Sequence, residues 1–455
     1  MSRFVLVLVC MLGVACSGSP PPAPASAPSA NGTPALFEGA TLIDGDTGQS
    51  RVNAAFLVEG NRITQVGSRG EIDPPAGATR IDLVGKTVMP ALVSAHMHVG
   101  LLDGNDFGPQ VYTHDKIVEH LQRYAYYGMG AVFSVGTDVG PLSFQVRDER
   151  PPDAARLITA GRGMAAPDGG PGIPVIANTS YPIATADEGR ARVRELAAQG
   201  AAAVKIWVDD RGGRVKKLTP DLYRPIIEEA HARGMMALAH VYYLRDAHEL
   251  ADAGIDGFMH LVRDEVMDDA LIALMRERRI FTAANIGGSR RAGLAELPAA
   301  TLTALLETVP PPVVQAFVSA MKAKAPDALA RASGTYEKMA RSVAKLNAAG
   351  VRIVLGGDTG IPGAWHGWAE QYELQSMVAA GMTPAQVIVA STSAPARLLK
   401  LDDMGSIAPG KSADFVILEA NPLDDILNAG RISDVYLRGR RIDRAGLRAR
   451  WTAGQ

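Results

Sequence analysis

The chain has 455 residues, a formal net charge of -2, 47% hydrophobic residues and 21% charged residues. This balance is ordinary for a globular protein with a sizeable core, and the near-neutral charge argues against a nucleic-acid partner, which usually requires a basic face. The two cysteines, Cys10 and Cys16, both lie near the start. The composition therefore excludes a disulfide framework and a cysteine-ligated zinc site in the body of the chain.

Residues 1–16 have the pattern of an export signal. Arg3 gives a short positive region, and the apolar run from Phe4 to Val14 is too short to span a bilayer as a helix. Small residues then precede Cys16, where a bacterial lipoprotein signal carries its lipidated cysteine. We therefore expect an exported, periplasmic protein, lipid-anchored to the outer membrane at Cys16, with simple cleavage and a soluble product as the alternative. Residues 17–34 are rich in Pro, Ala and Ser and predict a tether.

The rest of the chain divides into two β-rich end segments and a longer middle. Residues 35–90 and 400–455 carry short strand-like runs separated by turns, which predict one small β-sandwich domain built from both ends. In residues 91–399, apolar strand-like runs alternate with helical patterns, which is typical of an α/β fold, a (β/α)8 TIM-like barrel. Residues 296–345 are richer in helical sequence and predict an enlarged connection before the last barrel strand.

Six polar side chains lie inside or at the carboxyl ends of the strand-like runs of the middle segment. They are His96, His98, Lys205, His240, His260 and Asp358. The carboxyl ends of barrel strands converge on one face, where catalytic residues collect. Residues two apart in a strand point the same way, so His96 and His98 share a face.

Each of these side chains also has an ordinary structural explanation. A single histidine at a strand end is more often a hydrogen-bonded core or surface residue than a ligand, and Asp358 can cap a following helix. Lys205 is harder to explain in this way, because a lysine is almost never fully buried without a partner. The nearest rival nucleophile, Ser134, lacks an adjacent base motif. Six such placements at strand ends together favour one shared site.

The motifs that carry these residues resemble the amidohydrolase superfamily, in particular the group containing imidazolonepropionase and metal-dependent dipeptidases. The matching stretches are PALVSAHMH for the strand-one motif, GAAAVKI for the strand-four lysine, ALAHVYY and GIDGFMHL for the strand-five and strand-six histidines, GVRIVLGGDTG for the strand-eight aspartate, and MGSIAPGKSADFVILEANPL for the C-terminal β-strand return. Three positions depart from the family pattern. Ser94 stands where an aspartate is usual, Ala202 replaces an acid, and Gly357 replaces a threonine or serine.

The resemblance implies a metal-dependent hydrolase. In it, His96, His98 and Asp358 hold the inner of two divalent ions, His240 and His260 hold the outer one, and carbamylated Lys205 bridges them. Nitrogen and oxygen ligands without thiolate suit Zn2+, and also Mn, Fe or Co. A site with one metal and an unmodified Lys205 is the alternative. Asp358 is expected to act as the general base and acid in the attack of activated water.

The implied reaction is hydrolysis of an amide C–N bond in a small molecule of the dipeptide or N-acyl amino acid type. Tyr242 lies two residues after His240 and is expected to share its face; in related peptidases a tyrosine here contacts the substrate carboxylate, and an aromatic core role is the alternative. Arg162 and His366 lie in loops at the expected mouth and are further candidates for substrate contact.

Two other functions stay open on the sequence alone. The same site could hydrolyse a cyclic amide, a lactone or another ester, and the barrel could belong to a tethered surface protein that holds metal without catalysis. We expect no membrane contact other than the lipid anchor, and a homo-oligomer is possible.

Overall fold

A computed structural model describes residues 33–452 of the chain. The predicted export signal, the lipidation site Cys16 and nearly all of the predicted tether lie outside the described residues. Within residues 33–452, every helix is too short or too polar to cross a membrane.

Eight parallel strands form a barrel, and we label them β1 to β8 in chain order. They are β1 Leu92–Met97, β2 Met129–Gly136, β3 Arg156–Ala165, β4 Ala203–Val208, β5 Met236–Val241, β6 Gly257–Phe258, β7 Phe281–Ala283 and β8 Ile353–Val354. Each strand pairs in parallel with the next. The backbone amide of Ala95 donates to the Leu355 carbonyl at 2.8 Å, which joins β1 to the β8 end and closes the ring.

Helices connect the strands on the outside, as the alternating sequence pattern predicts. From β1 to β7 the connecting helices are His114–Tyr126, Leu142–Glu149, Ala186–Ala198, Pro220–Ala232, Leu244–Asp252 and Asp269–Arg278. The connection from β7 to β8 is the enlarged one and contains Gly287–Ala292, Ala299–Leu306, Pro311–Lys322 and Pro326–Ala348. After β8 follow Trp368–Ala379, Pro384–Ser391, Ser393–Leu398 and, at the end, Arg444–Thr452. Short 3-10 turns occupy Pro109–Val111, Pro174–Thr179 and Ile426–Gly430.

Local sequence signals explain where several of these helices begin. Thr185 caps the helix Ala186–Ala198 by accepting from the Glu188 amide, and Glu188 reaches back to the Thr185 amide. This reciprocal pair satisfies two backbone donors that the first helical turn leaves free. The proline run that interrupts the long connection forms the start of Pro311–Lys322, because proline fits the first turn of a helix.

A β-bulge in β1 decides which side chains face the centre of the barrel. Ala95 packs in the barrel interior, so strict alternation would carry Met97 inward and His96 outward. The pairing of β1 with β2 shifts register between Ser94 and Met97, which inserts one extra residue. Met97 consequently packs in the outer core under the helices, and His96 and His98 turn toward the mouth of the barrel.

The two ends of the chain form a second, mixed sheet of eight strands. Its members are Ala35–Ile43, Ser50–Glu59, Arg62–Ser68, Thr79–Asp82, Thr87–Pro90, Phe415–Leu418, Ile432–Leu437 and Arg440–Arg441. Phe415–Leu418 pairs antiparallel with Thr87–Pro90, so the C-terminal strands extend the N-terminal ones. The short strand Ser180–Pro182 pairs in parallel with β3 as a side strand of the barrel sheet. The hairpin Leu102–Asp103 with Asp106–Phe107 stands apart from both large sheets.

The small sheet curls around an aromatic core. Phe56 and Phe415 lie on strands separated by two others, which would place them about 14 Å apart in a flat sheet. Their ring centroids are 5.0 Å apart, and Phe37 stacks on Phe56 at 4.9 Å. The predicted fold class, a (β/α)8 barrel beside a small β domain from both chain ends, is therefore confirmed.

Candidate metal centre

His96, His98 and Asp358 meet at the seam between β1 and the β8 end. Oδ1 of Asp358 lies 3.0 Å from His98 Nε2 and 3.5 Å from His96 Nε2. Backbone hydrogen bonds hold the same contact, because the Asp358 amide donates to the His96 carbonyl at 3.1 Å. Both backbone and side-chain contacts therefore fix Asp358 against the two histidines, although His98 and Asp358 are 260 positions apart in the chain.

Two further histidines extend this cluster, His240 near the end of β5 and His260 two residues after β6. The His96 and His260 ring centroids are 4.8 Å apart, and those of His260 and His240 are 4.4 Å apart. Ligand atoms of His96, His260 and Asp358 all lie within 4.8 Å of one another, a spacing that suits a shared metal ion. The structure thus brings together the histidines and the aspartate that the strand ends predict.

Neighbouring polar groups orient the ligand histidines. His96 Nδ1 lies 2.8 Å from the Met259 carbonyl, to which the Asn285 amide group also donates. His98 Nδ1 lies 2.7 Å from Thr137 Oγ1. The Met259 carbonyl can only accept, so it favours a proton on His96 Nδ1 and leaves Nε2 of His96 with its lone pair. The Thr137 hydroxyl can donate or accept, so it fixes the orientation of the His98 ring.

His240 has an acidic partner instead. Its Nε2 lies 3.1 Å from Oδ2 of Asp209, and the Arg211 guanidinium binds the same oxygen at 2.9 Å. Burial opposes ionisation of Asp209, but the hydrogen bond from His240 and the interactions with Arg211 together lower the pKa of Asp209 to about 2. His240 therefore has an ionised carboxylate behind it, and Arg211 pairs with that carboxylate.

Lys205 lies at the centre of β4 with no exposed surface. Burial lowers the pKa of its amine to about 7, with Arg263 and Arg211 adding to the effect and Asp358 opposing it. A Cβ atom on Gly136, which has φ +88°, would lie 2.6 Å from Lys205 Cγ, so only glycine leaves room for the lysine stem. A near-neutral amine here can react with carbon dioxide or bind as a neutral group.

The donor atoms of this cluster fit a metal site. His96 Nε2 and Lys205 Nζ are both buried and have no hydrogen-bond partner among residues 33–452. Buried polar groups are almost always paired, so two such atoms in one cluster indicate a missing partner. Burial lowers the pKa values of His96 and His260 well below the ordinary range and that of His240 to about 3, which keeps all three imidazoles neutral for coordination.

Asp358 has an unusual backbone conformation. Its φ of 48° lies in the left-handed region, which costs a non-glycine residue of order 1 kcal/mol. Burial favours the protonated acid, but interactions with His96, His98 and Lys205 keep the pKa of Asp358 below its ordinary value. The side chain is 29% exposed, so the carboxylate reaches both the histidines and the mouth of the barrel.

The three predicted substrate residues lie in different settings. Tyr242 is half-buried at the mouth, where the Arg263 guanidinium lies 5.9 Å from its ring centroid. Arg162 lies in strand β3, so the prediction of a mouth loop there is wrong. It donates to the carbonyls of Asn178 and Ser180, at 2.6 and 2.9 Å, so two backbone groups hold its guanidinium. These positions leave the substrate roles of Tyr242 and Arg162 as predictions.

His366 lies behind the cluster. Its ring stacks on His120 with centroids 3.6 Å apart, and its Nε2 donates to the His98 carbonyl at 2.9 Å. It is 2% exposed, and burial lowers its pKa to about 3. In this structure His366 supports the backbone of the HxH strand, and its contact with substrate stays a prediction.

The rival nucleophile Ser134 is fully buried and donates to Asp138 at 2.5 Å.

Four residues of the site are absent from the sequence-based set: Thr137, Asp209, Arg263 and Asn285. Thr137, Asp209 and Asn285 follow β2, β4 and β7 within two residues of the strand end, so the rule that selected the histidines would have found them. Arg263 lies in the loop after β6, where its amide donates to the Tyr242 carbonyl at 2.9 Å. No regular spacing marks that loop residue.

Arg263 is the positive charge at the mouth. Its partly buried guanidinium forms no hydrogen bond or ion pair with any residue in the described range 33–452. It is close enough to Asp358, Asp209 and the histidines for its charge to act on their pKa values. An unpaired guanidinium beside the cluster can receive an anionic group of a substrate.

This fold and cluster define a class of protein, the (β/α)8 barrels that carry a histidine–aspartate centre at the carboxyl ends of their strands. The sequence profile of the amidohydrolase family matches residues 87–442, and the chain belongs to that family. The resemblance drawn from the strand-end motifs is therefore confirmed.

Individual relatives are more distant. An uncharacterised protein of Mycobacterium tuberculosis is 29% identical over 216 residues, 47% of this chain and 54% of that protein, so the match spans about half the relative's length. Ochratoxinase of Aspergillus niger is 27% identical over 432 residues, covering 85% of this chain and 81% of that enzyme. A solved structure from Bifidobacterium longum, described as a candidate prolidase, is 25% identical with a TM-score of 0.72, covering 92% of this chain and 99% of that one.

Proposed function

We propose that this protein is a metal-dependent hydrolase of amide C–N bonds in small molecules that carry a free carboxylate, of the dipeptide or N-acyl amino acid type. The observation that carries the proposal is the pair of buried, unpartnered atoms, His96 Nε2 and Lys205 Nζ, inside a cluster with Asp358. Family membership and the names of two similar proteins, ochratoxinase and a candidate prolidase, support the same class of reaction.

The metal ligands follow from the donor set. His96, His98 and Asp358 would hold one divalent ion, and His240 and His260 a second, with Zn2+ as the first choice and Mn, Fe or Co as alternatives. Lys205 would bridge the two ions as a carbamate, because burial has lowered the pKa of its amine to about 7. The carbamate turns a buried cation into an anion that faces two cations.

A bound divalent ion would supply a Lewis acid for the scissile carbonyl and would make nearby water more acidic. Asp358 is the proton carrier of the reaction, since its carboxylate is ionised, touches both histidines of the HxH strand and is open to the mouth. It takes a proton as the water oxygen bonds to the carbonyl carbon. As the C–N bond breaks, it returns that proton to the leaving nitrogen.

Arg263 and Tyr242 select the substrate. The guanidinium and the phenol lie together at the mouth, next to His240 and His260, and the guanidinium forms no ion pair with any residue between 33 and 452. A substrate carboxylate would pair with Arg263 through charge-assisted hydrogen bonds and would set the amide carbon over the cluster. The protein would act in the periplasm, held by a lipid on Cys16, within reach of small molecules that enter that compartment.

The test is turnover of a substrate library by protein loaded with Zn2+ and bicarbonate. The library contains dipeptides, N-acyl amino acids, their carboxyl-amidated analogues, cyclic amides and lactones. We expect hydrolysis of amides with a free carboxylate, little hydrolysis of the amidated analogues, and loss of activity after chelation. Hydrolysis of lactones with no turnover of any linear amide would overturn the proposal.

A further inference from the structure

One buried carboxylate stands directly behind the seam that carries Asp358. Glu370 lies in the first turn of Trp368–Ala379 and has no exposed surface. Its Oε1 accepts from Thr359 Oγ1 at 2.7 Å and from Ser94 Oγ at 3.3 Å, and its Oε2 accepts from the Gly367 amide at 2.9 Å. The Gly367 amide can only donate, so Oε2 must accept, and both hydroxyls donate to Oε1 in this structure.

Two departures from the superfamily pattern meet at this carboxylate. Ser94 occupies the place of the usual aspartate and instead donates to Glu370. Gly357 occupies the place of the usual threonine or serine, and a Cβ atom there would lie 2.9 Å from Glu370 Oε1. The short side chain at 94 and the missing one at 357 leave the room that the glutamate fills.

The contacts of Thr359 connect Glu370 to Asp358. Thr359 follows Asp358 directly, its hydroxyl is hydrogen-bonded to Glu370 and to the Tyr124 hydroxyl, and its carbonyl accepts from the His98 amide at 2.8 Å. A residue held at both its side chain and its backbone limits the motion of its neighbour. The left-handed backbone of Asp358 therefore has a fixed support on its C-terminal side.

We infer that Glu370 is a positioning residue for the metal centre and replaces, from the helix after β8, the carboxylate that the superfamily pattern places at position 94. It acts through Thr359 on Asp358 and through Ser94 on the HxH strand. The inference rests on the proposed metal site. The competing explanation is that Glu370 only closes the first turn of its helix through the Gly367 amide.

A charge-relocation experiment separates these explanations. The variants are Glu370→Gln, Ser94→Asp and the double variant, with Asp414→Asn as a control for the loss of a buried carboxylate, since Asp414 binds Arg156 and the Arg438 amide at the small domain. Zn2+ affinity is measured by chelator competition, the visible spectrum is recorded with Co2+, and thermal unfolding is measured without metal. The kcat and KM values for a library hit complete the set.

We expect Glu370→Gln to weaken Zn2+ binding about tenfold and to alter the Co2+ spectrum, because a neutral amide binds the Thr359 and Ser94 hydroxyls less strongly than a carboxylate does. Ser94→Asp alone places two carboxylates together and lowers the unfolding temperature. The double variant regains most of the lost affinity, the parent spectrum and the parent kcat. Asp414→Asn lowers only the unfolding temperature.

Two results would overturn the inference. One is a Glu370→Gln variant with unchanged Zn2+ affinity and Co2+ spectrum, and the other is a double variant that binds Zn2+ no more tightly than Glu370→Gln. Either result would leave Glu370 only its role in the first turn of its helix. If the parent protein binds no metal, the proposed function fails and the inference falls with it, because Glu370 then has no metal centre to position. If the parent binds metal, the Zn2+ affinities and Co2+ spectra of Glu370→Gln and the double variant decide the inference alone.

Discussion

Two hydrogen bonds join the chain segments that carry His98 and Asp358, across the seam that closes the barrel. Their side chains meet at 3.0 Å, and the His98 amide donates to the carbonyl of Thr359, the residue after Asp358. The end of β1 and the segment after β8 therefore cannot move apart without separating a predicted ligand from the predicted proton carrier. This coupling makes the seam the part of the molecule where small changes should have large effects on catalysis.

Replacing Asp358, the proposed proton carrier, should abolish most of the activity without changing the fold. We expect Asp358→Asn to lower kcat by about 10²- to 10⁴-fold, the range typical of a general acid–base group, since an amide cannot take up the proton. Asp187→Asn, at an exposed position on Ala186–Ala198, is the matched control and should keep full activity. Metal content and steady-state kinetics are measured together. Full activity in a metal-loaded Asp358→Asn protein would refute the assigned role.

The buried amine of Lys205 should be costly for stability in metal-free protein. Its pKa falls from 10.5 to about 7 on folding, so below pH 7 both states are protonated and the folded state bears the full penalty, up to about 5 kcal/mol. Between pH 7 and 10.5 the unfolded state binds more protons, and the penalty shrinks as pH rises. Lys205→Met should therefore stabilise metal-free protein most below pH 7 and abolish activity, as urea unfolding and turnover would measure.

Reactivation should depend on pH through the same amine. Only a neutral amine reacts with carbon dioxide, so at a fixed concentration of dissolved carbon dioxide Zn2+ should restore activity to depleted protein faster as pH rises through about 7. A carbamate adds a carboxylate carbon that ¹³C-labelled bicarbonate makes visible by NMR. A reactivation rate that is flat between pH 6 and 8 and independent of bicarbonate would favour the site with one metal and an unmodified lysine.

The hydroxyl of Thr137 should tune the metal through His98. Thr137→Val keeps the shape of the side chain and removes the partner of His98 Nδ1 at 2.7 Å. We expect Zn2+ affinity to fall by about 10- to 100-fold, the usual range for loss of a group that orients a ligand. Thr335→Val, which removes an exposed hydroxyl on Pro326–Ala348, serves as the control in the same chelator titration. Equal affinities for the two variants would contradict the assigned orientation of His98.

Two arginines compete for the role of carboxylate receptor, and one comparison distinguishes them. Arg263→Gln should raise KM for a free-carboxylate substrate, lowering kcat/KM about 10- to 100-fold, with little change for the amidated analogue. Arg162→Gln should act less selectively, because Arg162 holds the Asn178 and Ser180 carbonyls. If Arg162→Gln alone discriminates between the two substrates, the carboxylate binds at β3 and the role given to Arg263 is wrong.

The strand ends made much of the site predictable from sequence, for a physical reason. A parallel barrel places every strand's carboxyl end on one face, so an apolar run followed by a polar residue is enough to place His240, His260 and Asp358 near one another. The spacing of His96 and His98 correctly predicts that both face the site, although simple alternation along β1 would turn His96 outward. In the structure the bulge between Ser94 and Met97 turns them inward.

The residues that sequence reasoning missed depend on contacts between distant elements. Glu370 and Ser94 are 276 positions apart, and nothing in either local pattern predicts that a helix after β8 supplies an acid to β1. Arg263 lies in a loop without periodicity, three residues after the predicted ligand His260. Only its lack of a hydrogen bond or ion pair among the described residues draws attention to it. The sequence shows Ser94 and Gly357 as departures from the family pattern, but it does not show that both face Glu370.

The pairing of Thr87–Pro90 with Phe415–Leu418 has a consequence for how the chain folds. One edge of Thr87–Pro90 lacks its partner until the whole barrel and the return strand have been made, and contacts this far apart in sequence slow folding. A folding intermediate that lacks the return strand would therefore carry an open strand edge beside a nearly complete barrel, a state prone to association. Termination before residue 415 should yield aggregated chains rather than a smaller working enzyme.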